Sequence, residues 1–246
     1  MEWTKNLAVT SDRFLYLRRL KTFFQYISYF FYNAINWSLW LAFFVLYHDI
    51  RGAFKYGIHT FSPVNLKKLT IQKGETNKAS RYEAVNFYLL ETLLENFRKL
   101  SPVNSIVDLG CGKGRVLVVA AHYGFINITG IDFAAELCQE AAKNIEKVKS
   151  KFPQVNWNII NSSVEDYEIK SHDSVFFMFN PFTDEIIRIF LNKLEISCKQ
   201  NPRTTYFLYA SPLYKELLTN NGYEIVFQKR ILHLQGIIFR KDNFSE

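Results

Sequence analysis

Three kinds of residue pattern are missing from this 246-residue chain, and each absence narrows what it does. There are only three cysteines, Cys111, Cys138 and Cys198, with no CxxC pair among them. A disulfide framework or a cysteine zinc site is therefore not expected, and a reduced, cytoplasmic setting is the simplest one. The five histidines, His48, His59, His122, His172 and His233, show no metal-ligand spacing, so no metal site is expected. No internal repeat, low-complexity tract or RNA-binding module occurs. The segment from Thr22 to Tyr47 has no charged residue at all. That length would span a bilayer, but Gln25, Ser28, Asn33, Asn36 and Ser38 interrupt it.

What is present is unevenly placed. Residues 1–61 hold 18 of the 41 aromatic side chains. At 100° per residue, Gln25, Ser28, Tyr29, Tyr32 and Asn36 fall on one narrow stripe, with a broad aromatic face opposite. The pattern predicts a helix, or a bent pair, buried on most sides. Three placements are open for residues 22–47: packed on the rest of the chain, lying in a membrane interface, or spanning a membrane. A secretory leader is not expected, because the lead-in is long and no small-residue cleavage site follows.

Positive charge is also concentrated. Of the net +7, Arg51 to Arg81 carries +6. Such a block is either a solvated loop or a surface for phosphate, an anionic substrate or anionic lipid.

From Ser105 onward, short apolar runs alternate with helical stretches. SIVDLG (105–110), INITGID (126–132), VNWNII (155–160), SVFFMFN (174–180) and TTYFLYA (204–210) read as strands. RVLVVAAHYG, FAAELCQEAAKNIEKVKS and DEIIRIFLNKLEISCKQ read as helices between them. YEIVFQKRI and LHLQGIIFR read as a closing antiparallel pair. The fold class is therefore α/β, Rossmann-like: a mostly parallel sheet with helices on both faces and antiparallel strands at the C-terminus. The expected organisation is an aromatic helical extension (1–61), a helical lead-in (62–103) and a ligand-binding domain (104–246).

Ligands of such sheets sit at the carboxyl ends of the strands. At the end of the first strand stands DLGCGKG, with Gly110, Gly112 and Gly114 able to turn tightly beneath a ligand. A dinucleotide fingerprint needs its third glycine at position 115, which is Arg115 here. A GxGxG turn preceded by Asp108 suits S-adenosyl-L-methionine instead. Asp132, closing the second strand, has the position to accept ribose hydroxyls, and also to cap the helix beginning near Ala134. The fourth strand ends in Asn180, Pro181 and Phe182.

VDLGCGKGRVLVVAA, GID and FFMFNPF together resemble the class I S-adenosylmethionine-dependent methyltransferases. The likeness is to bacterial members with a VDLGxGKGR first motif and an FNPF fourth motif. It covers roughly residues 50–210, with YGIHT (56–60) and YEAVNFYLL (82–90) resembling upstream segments. The resemblance implies that Asp108 and the backbone of Gly110, Cys111, Gly112 and Gly114 hold the methionine end of the cofactor. It implies ribose binding by Asp132, and adenine contacts from Ser163 or the backbone of Val164, where an Asp is the usual residue. Tyr56 and Tyr82 are implied near the site. Asn180, Pro181 and Phe182 would orient an attacking nitrogen of a protein or small-molecule acceptor. A nucleic-acid acceptor, or a non-catalytic membrane-associated binding protein, is the alternative.

Overall fold

The computed structural model describes residue 24 and residues 26–61, 83–179 and 182–244. Two compact units divide the chain, Met1–Arg51 and Gly52–Glu246.

In the second unit one seven-stranded sheet organises everything. Its strands are β1 (Ser105–Leu109), β2 (Asn127–Asp132), β3 (Asn156–Asn161), β4 (Val175–Phe179), β5 (Thr205–Ala210), β6 (Glu224–Ile231) and β7 (Leu234–Lys241). The spatial order is β3-β2-β1-β4-β5-β7-β6. The first five are parallel; β7 runs antiparallel against both β5 and β6.

Side-chain alternation explains the two cores on either side of this sheet. Ile106, Val175, Phe177, Tyr206 and Leu208 point to one face; Val107, Leu109, Phe176, Met178, Phe207 and Tyr209 point to the other. Strands β1 and β5 are buried along their whole length, which accounts for how few polar residues they carry, Ser105, Asp108 and Thr205 among them. Phe176 sits between Phe190 and Phe207, with ring centroids 5.2 and 5.3 Å away. Burying each such ring stabilises the fold by about 2–3 kcal/mol. The edge strand β6 is polar and exposed, with Lys229 and Arg230 on it and a register irregularity between Ile225 and Phe227. These features discourage edge-to-edge pairing.

The helices follow from spacing and caps. Helix α3 (Phe87–Leu100) is started by Asn86, whose side chain accepts a 2.9 Å bond from the Tyr88 amide. It buries Leu89, Leu90, Leu93, Leu94 and Phe97 in the first core. The segment read as a lead-in thus carries part of the main core. Helix α4 (Arg115–His122) and helix α5 (Ala135–Glu146) follow β1 and β2. Helix α6 (Asp184–Gln200) and the short α7 (Lys215–Asn220) serve the second core.

In the first unit, residues 26–36 form α1 and Leu39–Tyr56 form α2, whose last turn passes into the second unit. The bend between them is built locally. The Asn33 carbonyl accepts from the amides of both Trp37 and Ser38, at 3.0 and 3.2 Å. The Ser38 hydroxyl accepts from the Leu41 amide at 3.1 Å, a cap for α2. The rings of Phe30 and Phe43 meet edge to face at 4.9 Å.

The expected bent pair is there, and much of its aromatic surface is not covered by the chain itself. Phe31, Tyr32, Ile35, Trp37, Trp40, Phe43 and Tyr47 are all exposed. A wide aromatic face signals that a surface is available for covering, and sequence periodicity alone does not say that it is covered. Among the described residues, no helix is long and apolar enough to cross a membrane.

Candidate functional site

The order of strands reverses between β1 and β4, which open their carboxyl ends onto one edge of the sheet. The glycine turn after β1 is tied down there by its own backbone. The amides of Gly110 and Cys111 both donate to the Ile131 carbonyl, at 2.9 and 2.8 Å. The Gly112 amide donates to Asp132 Oδ2 at 2.8 Å, and the Gly114 amide to the Cys111 carbonyl at 2.8 Å.

Two glycines are required by space. Gly114 has φ 75°, and a Cβ on it would stand 3.0 Å from the Ala141 side chain. Gly130, in the middle of β2, admits the Cys111 side chain; a Cβ there would lie 2.7 Å from Leu117 and 2.9 Å from Cys111. Sequence reasoning missed Gly130, because only the packed turn makes its hydrogen side chain necessary.

Asp132 does not itself cap α5, whose N-cap residue is Ala134, but ties that residue to the glycine turn. Its Oδ1 accepts from the Ala134 amide at 3.0 Å while Oδ2 holds Gly112. Each oxygen keeps a second lone pair, so hydroxyl donors can still be accepted. Burial pushes its carboxyl up to about 6, against the downward pull of the two amides.

Asp108 is different. It is 2% exposed, and its Oδ2 is buried with no hydrogen-bond partner among the described residues. Burial, and then the neighbouring Asp132 charge, drive its carboxyl well above the usual range. A buried carboxylate oxygen without a donor is costly. Lys113, within the turn, is pushed down to about 8, chiefly by burial.

Arg115 closes the turn from outside. It is 3% exposed, with Nε donating to Thr60 Oγ1 at 2.6 Å and Nη1 to the Val85 carbonyl at 2.6 Å. Its guanidinium lies 4.0 Å from the centre of the Phe87 ring. One side chain thereby fastens two distant chain segments to the start of α4. The sequence marked position 115 only as a missing glycine.

Farther along the same edge, Asn161 donates through Nδ2 to the Asp132 carbonyl at 3.0 Å. The Ser163 hydroxyl accepts from the Asp166 amide at 3.3 Å, and Val164 turns its side chain into the second core. Lys193 fixes this loop by donating to the carbonyls of Glu165 and Tyr167, at 2.7 and 2.6 Å. Of the fourth-strand triplet, Asn180 and Pro181 lie outside the described residues. Phe182 is half-buried and packs against the second core, which commits part of its ring to structure. The next residue, Thr183, stands before α6 with its hydroxyl buried and unpartnered among the described residues.

Tyr56, expected near the site, has a structural position. Its hydroxyl donates to Glu91 Oε1 at 2.6 Å, and its ring stacks on Phe87 at 5.5 Å. Tyr82 and most of the basic stretch up to Arg81 lie outside the described residues. A recess of about 440 Å³ lined by Pro102, Val103, Asn104, Ser105, Asn127 and His172 lies at the opposite, amino ends of β1 and β2, away from this chemistry.

Residues 106–200 match the family model for a methyltransferase domain. Similar solved structures include an Escherichia coli protein assigned as a methyltransferase, at 15% identity and TM-score 0.51, over 71% of this chain and 91% of that one. The magnesium protoporphyrin IX methyltransferase of Synechocystis, with bound S-adenosylmethionine, shares 12% identity at TM-score 0.48, over 62% and 77%. The tRNA (uracil-54, C5)-methyltransferase of Pyrococcus abyssi, with S-adenosyl-L-homocysteine, shares 15% at TM-score 0.49, over 74% and 44%. No curated relative matches the chain. The fold is the Rossmann-like class I methyltransferase fold, and the cofactor that goes with the matched domain is S-adenosyl-L-methionine.

Proposed function

We propose that the chain transfers a methyl group from S-adenosylmethionine to a nitrogen of a protein or small-molecule acceptor. The observation that carries the cofactor assignment is the buried, unpartnered Oδ2 of Asp108 beside the glycine turn. The cofactor's α-ammonium is a donor and a cation of the kind this oxygen needs. Its binding would draw the Asp108 carboxyl into its ionised form.

In this reading Asp108 and the backbone of Gly110, Cys111, Gly112 and Gly114 hold the methionine end. Asp132 accepts the ribose hydroxyls on its free lone pairs while keeping the turn in place. Ser163 and the backbone of Val164 flank adenine. The cofactor supplies an electrophilic methyl on a sulfonium, so the protein's task is positioning rather than activation.

The residues after β4 then present the acceptor. The side-chain carbonyl of Asn180 accepts a hydrogen bond from the attacking amine and directs its lone pair. Pro181 fixes the chain and leaves its carbonyl as a second acceptor. The exposed part of Phe182 bounds the acceptor's apolar side. As the nitrogen gains positive charge, neutral acceptors of this kind stabilise it without needing to take its proton first.

The test is incubation of the full chain with S-adenosylmethionine carrying a radiolabelled methyl, together with separate protein, RNA and metabolite fractions. Acid-stable label in protein or in an amine metabolite supports the assignment. Label confined to RNA replaces the acceptor class, and no label in any fraction, with cofactor bound, removes the catalytic reading.

A further inference from the structure

We propose that the α1–α2 pair docks on the surface of an anionic lipid bilayer, lying in its interface rather than crossing it. The observation is the outward aromatic face of the first unit. Ile35 is 81% exposed, Trp40 78% and Tyr47 62%, with Phe31, Trp37 and Phe43 beside them. Monomeric surfaces rarely leave so many large apolar side chains together in water.

The chemistry of the face selects its occupant. It combines Trp and Tyr, whose rings are apolar and whose N–H and O–H ends are polar, the side chains that settle at the lipid headgroup level. From Thr22 to Tyr47 there is no charge to desolvate. The first acid after it, Asp49, is 3% exposed and so is withdrawn from the surface.

The amides that interrupt the run are also prepared for a medium poor in water. Asn33 Nδ2 donates to the Tyr29 carbonyl and Asn36 Nδ2 to the Tyr32 carbonyl, both at 2.8 Å. Asn36 makes this bond while exposed. An interface that strips water from these side chains leaves that donor already satisfied. A spanning arrangement is not the one proposed, because no described helix has the length and hydropathy for it.

Charge then chooses the lipid. Arg18, Arg19 and Lys21 precede the uncharged run in sequence, and the +6 stretch from Arg51 to Arg81 follows it. Cations on both sides of an uncharged aromatic segment match an anionic headgroup layer, with each contributing about 1 kcal/mol near the surface. A second copy of the chain fits less well. A symmetric contact would bring two like-charged flanks together. A helix-to-helix seam is also built of branched aliphatic knobs rather than Trp and Tyr.

The experiment is co-sedimentation of the full chain with vesicles of phosphatidylcholine alone and with roughly one-third phosphatidylglycerol. The expected result is at least about tenfold stronger binding to the anionic vesicles, weakening as salt is raised. The triple variant Ile35→Ser, Trp40→Ser, Tyr47→Ser should lose at least about tenfold of that binding. Brominated lipid should quench the tryptophan emission of the unaltered protein, which tests insertion without any variant. Absence of binding and quenching overturns the proposal. So does a triple variant that binds anionic vesicles as well as wild type. A concentration-dependent dimer in sedimentation velocity, lost in the triple variant without vesicle binding by wild type, would assign the face to a second copy instead.

Discussion

The carboxyl edge of the sheet and the α1–α2 pair are built from similar material and use it in opposite ways. Around β4 and β5 the aromatics Phe176, Phe177, Phe207 and Tyr209 are buried to within 1%. Along α1 and α2, Phe31, Tyr32, Trp37, Trp40, Phe43 and Tyr47 are exposed. The polar groups are reversed as well. At the sheet edge a buried oxygen, Asp108 Oδ2, is without a donor among the described residues, while Asn33 and Asn36 each place one amide N–H on a carbonyl of their own helix. The first region leaves a buried acceptor open. The second turns one N–H of each asparagine amide back onto its helix and offers apolar surface. A buried polar group left unmet points to a small ligand, whereas a wide exposed apolar face points to a broad surface.

The largest effect expected from breaking this contrast is at Asp108. Asp108→Ala removes a carboxylate oxygen that is buried and unpaired among the described residues of the sheet edge. It should weaken S-adenosylmethionine binding by about 10- to 150-fold, on the scale of a charge-assisted bond of about 1.5–3 kcal/mol, read by titration calorimetry. Unchanged affinity would remove the basis for reading that edge as a cofactor site. Next is Arg115→Ala, which leaves Thr60 and the Val85 carbonyl without their donor. A loss of about 3 kcal/mol in unfolding free energy is expected, visible as a lower denaturation midpoint, and Arg115→Lys should recover only part of it.

Asn180→Ala sharpens the contrast within the edge itself. Turnover should fall by about 10- to 100-fold while cofactor affinity stays near wild type, since its role is toward the acceptor. Equal losses in both would place it in cofactor binding.

A smaller effect is expected from pH. The cationic cofactor and its hydroxyls favour ionised Asp108 and Asp132, so affinity should fall as pH drops through about 6, where Asp132 titrates. For the cofactor-free fold the sign is opposite. The raised Asp132 value gives stability that is present below the ordinary carboxyl range and lost as pH rises through about 6. The shift in melting temperature produced by cofactor should therefore be larger at pH 7.5 than at pH 5.5. The smallest effect belongs to the other region: Trp40→Ser should change folding stability by less than about 0.5 kcal/mol in thermal melts, because the side chain is 78% exposed.

Much of the sheet was legible along the chain. The buried runs at Ser105–Leu109, Val175–Phe179 and Thr205–Ala210 announce central strands through mostly apolar sequence, and β6 and β7 were recognisable as an antiparallel pair. What was not legible is that β7, the later of the two, enters between β5 and β6. Both strands have the pattern to pair, and which one meets β5 is settled by packing. Strand β7 carries the buried Ile237, Ile238 and Phe239, whereas β6 is polar enough to be an edge. In the site, the glycine turn and its two carboxylates were legible because their spacing along the chain is short and regular. Gly130 and the partners of Arg115 were not, since Thr60 and Val85 lie 55 and 30 positions away from it.

The sequence by itself therefore determined the α/β class, the turn Gly110–Gly114 and the acids Asp108 and Asp132, because these follow from local periodicity and backbone sterics. Only the tertiary structure decided that Asp108 has an oxygen unpaired among the described residues, that Arg115 locks distant segments to the turn, and that Trp40 and its aromatic neighbours in sequence on α1 and α2 are exposed. Hydrogen-bond satisfaction and burial are properties of neighbours in space, and residues far apart in the chain supply those neighbours.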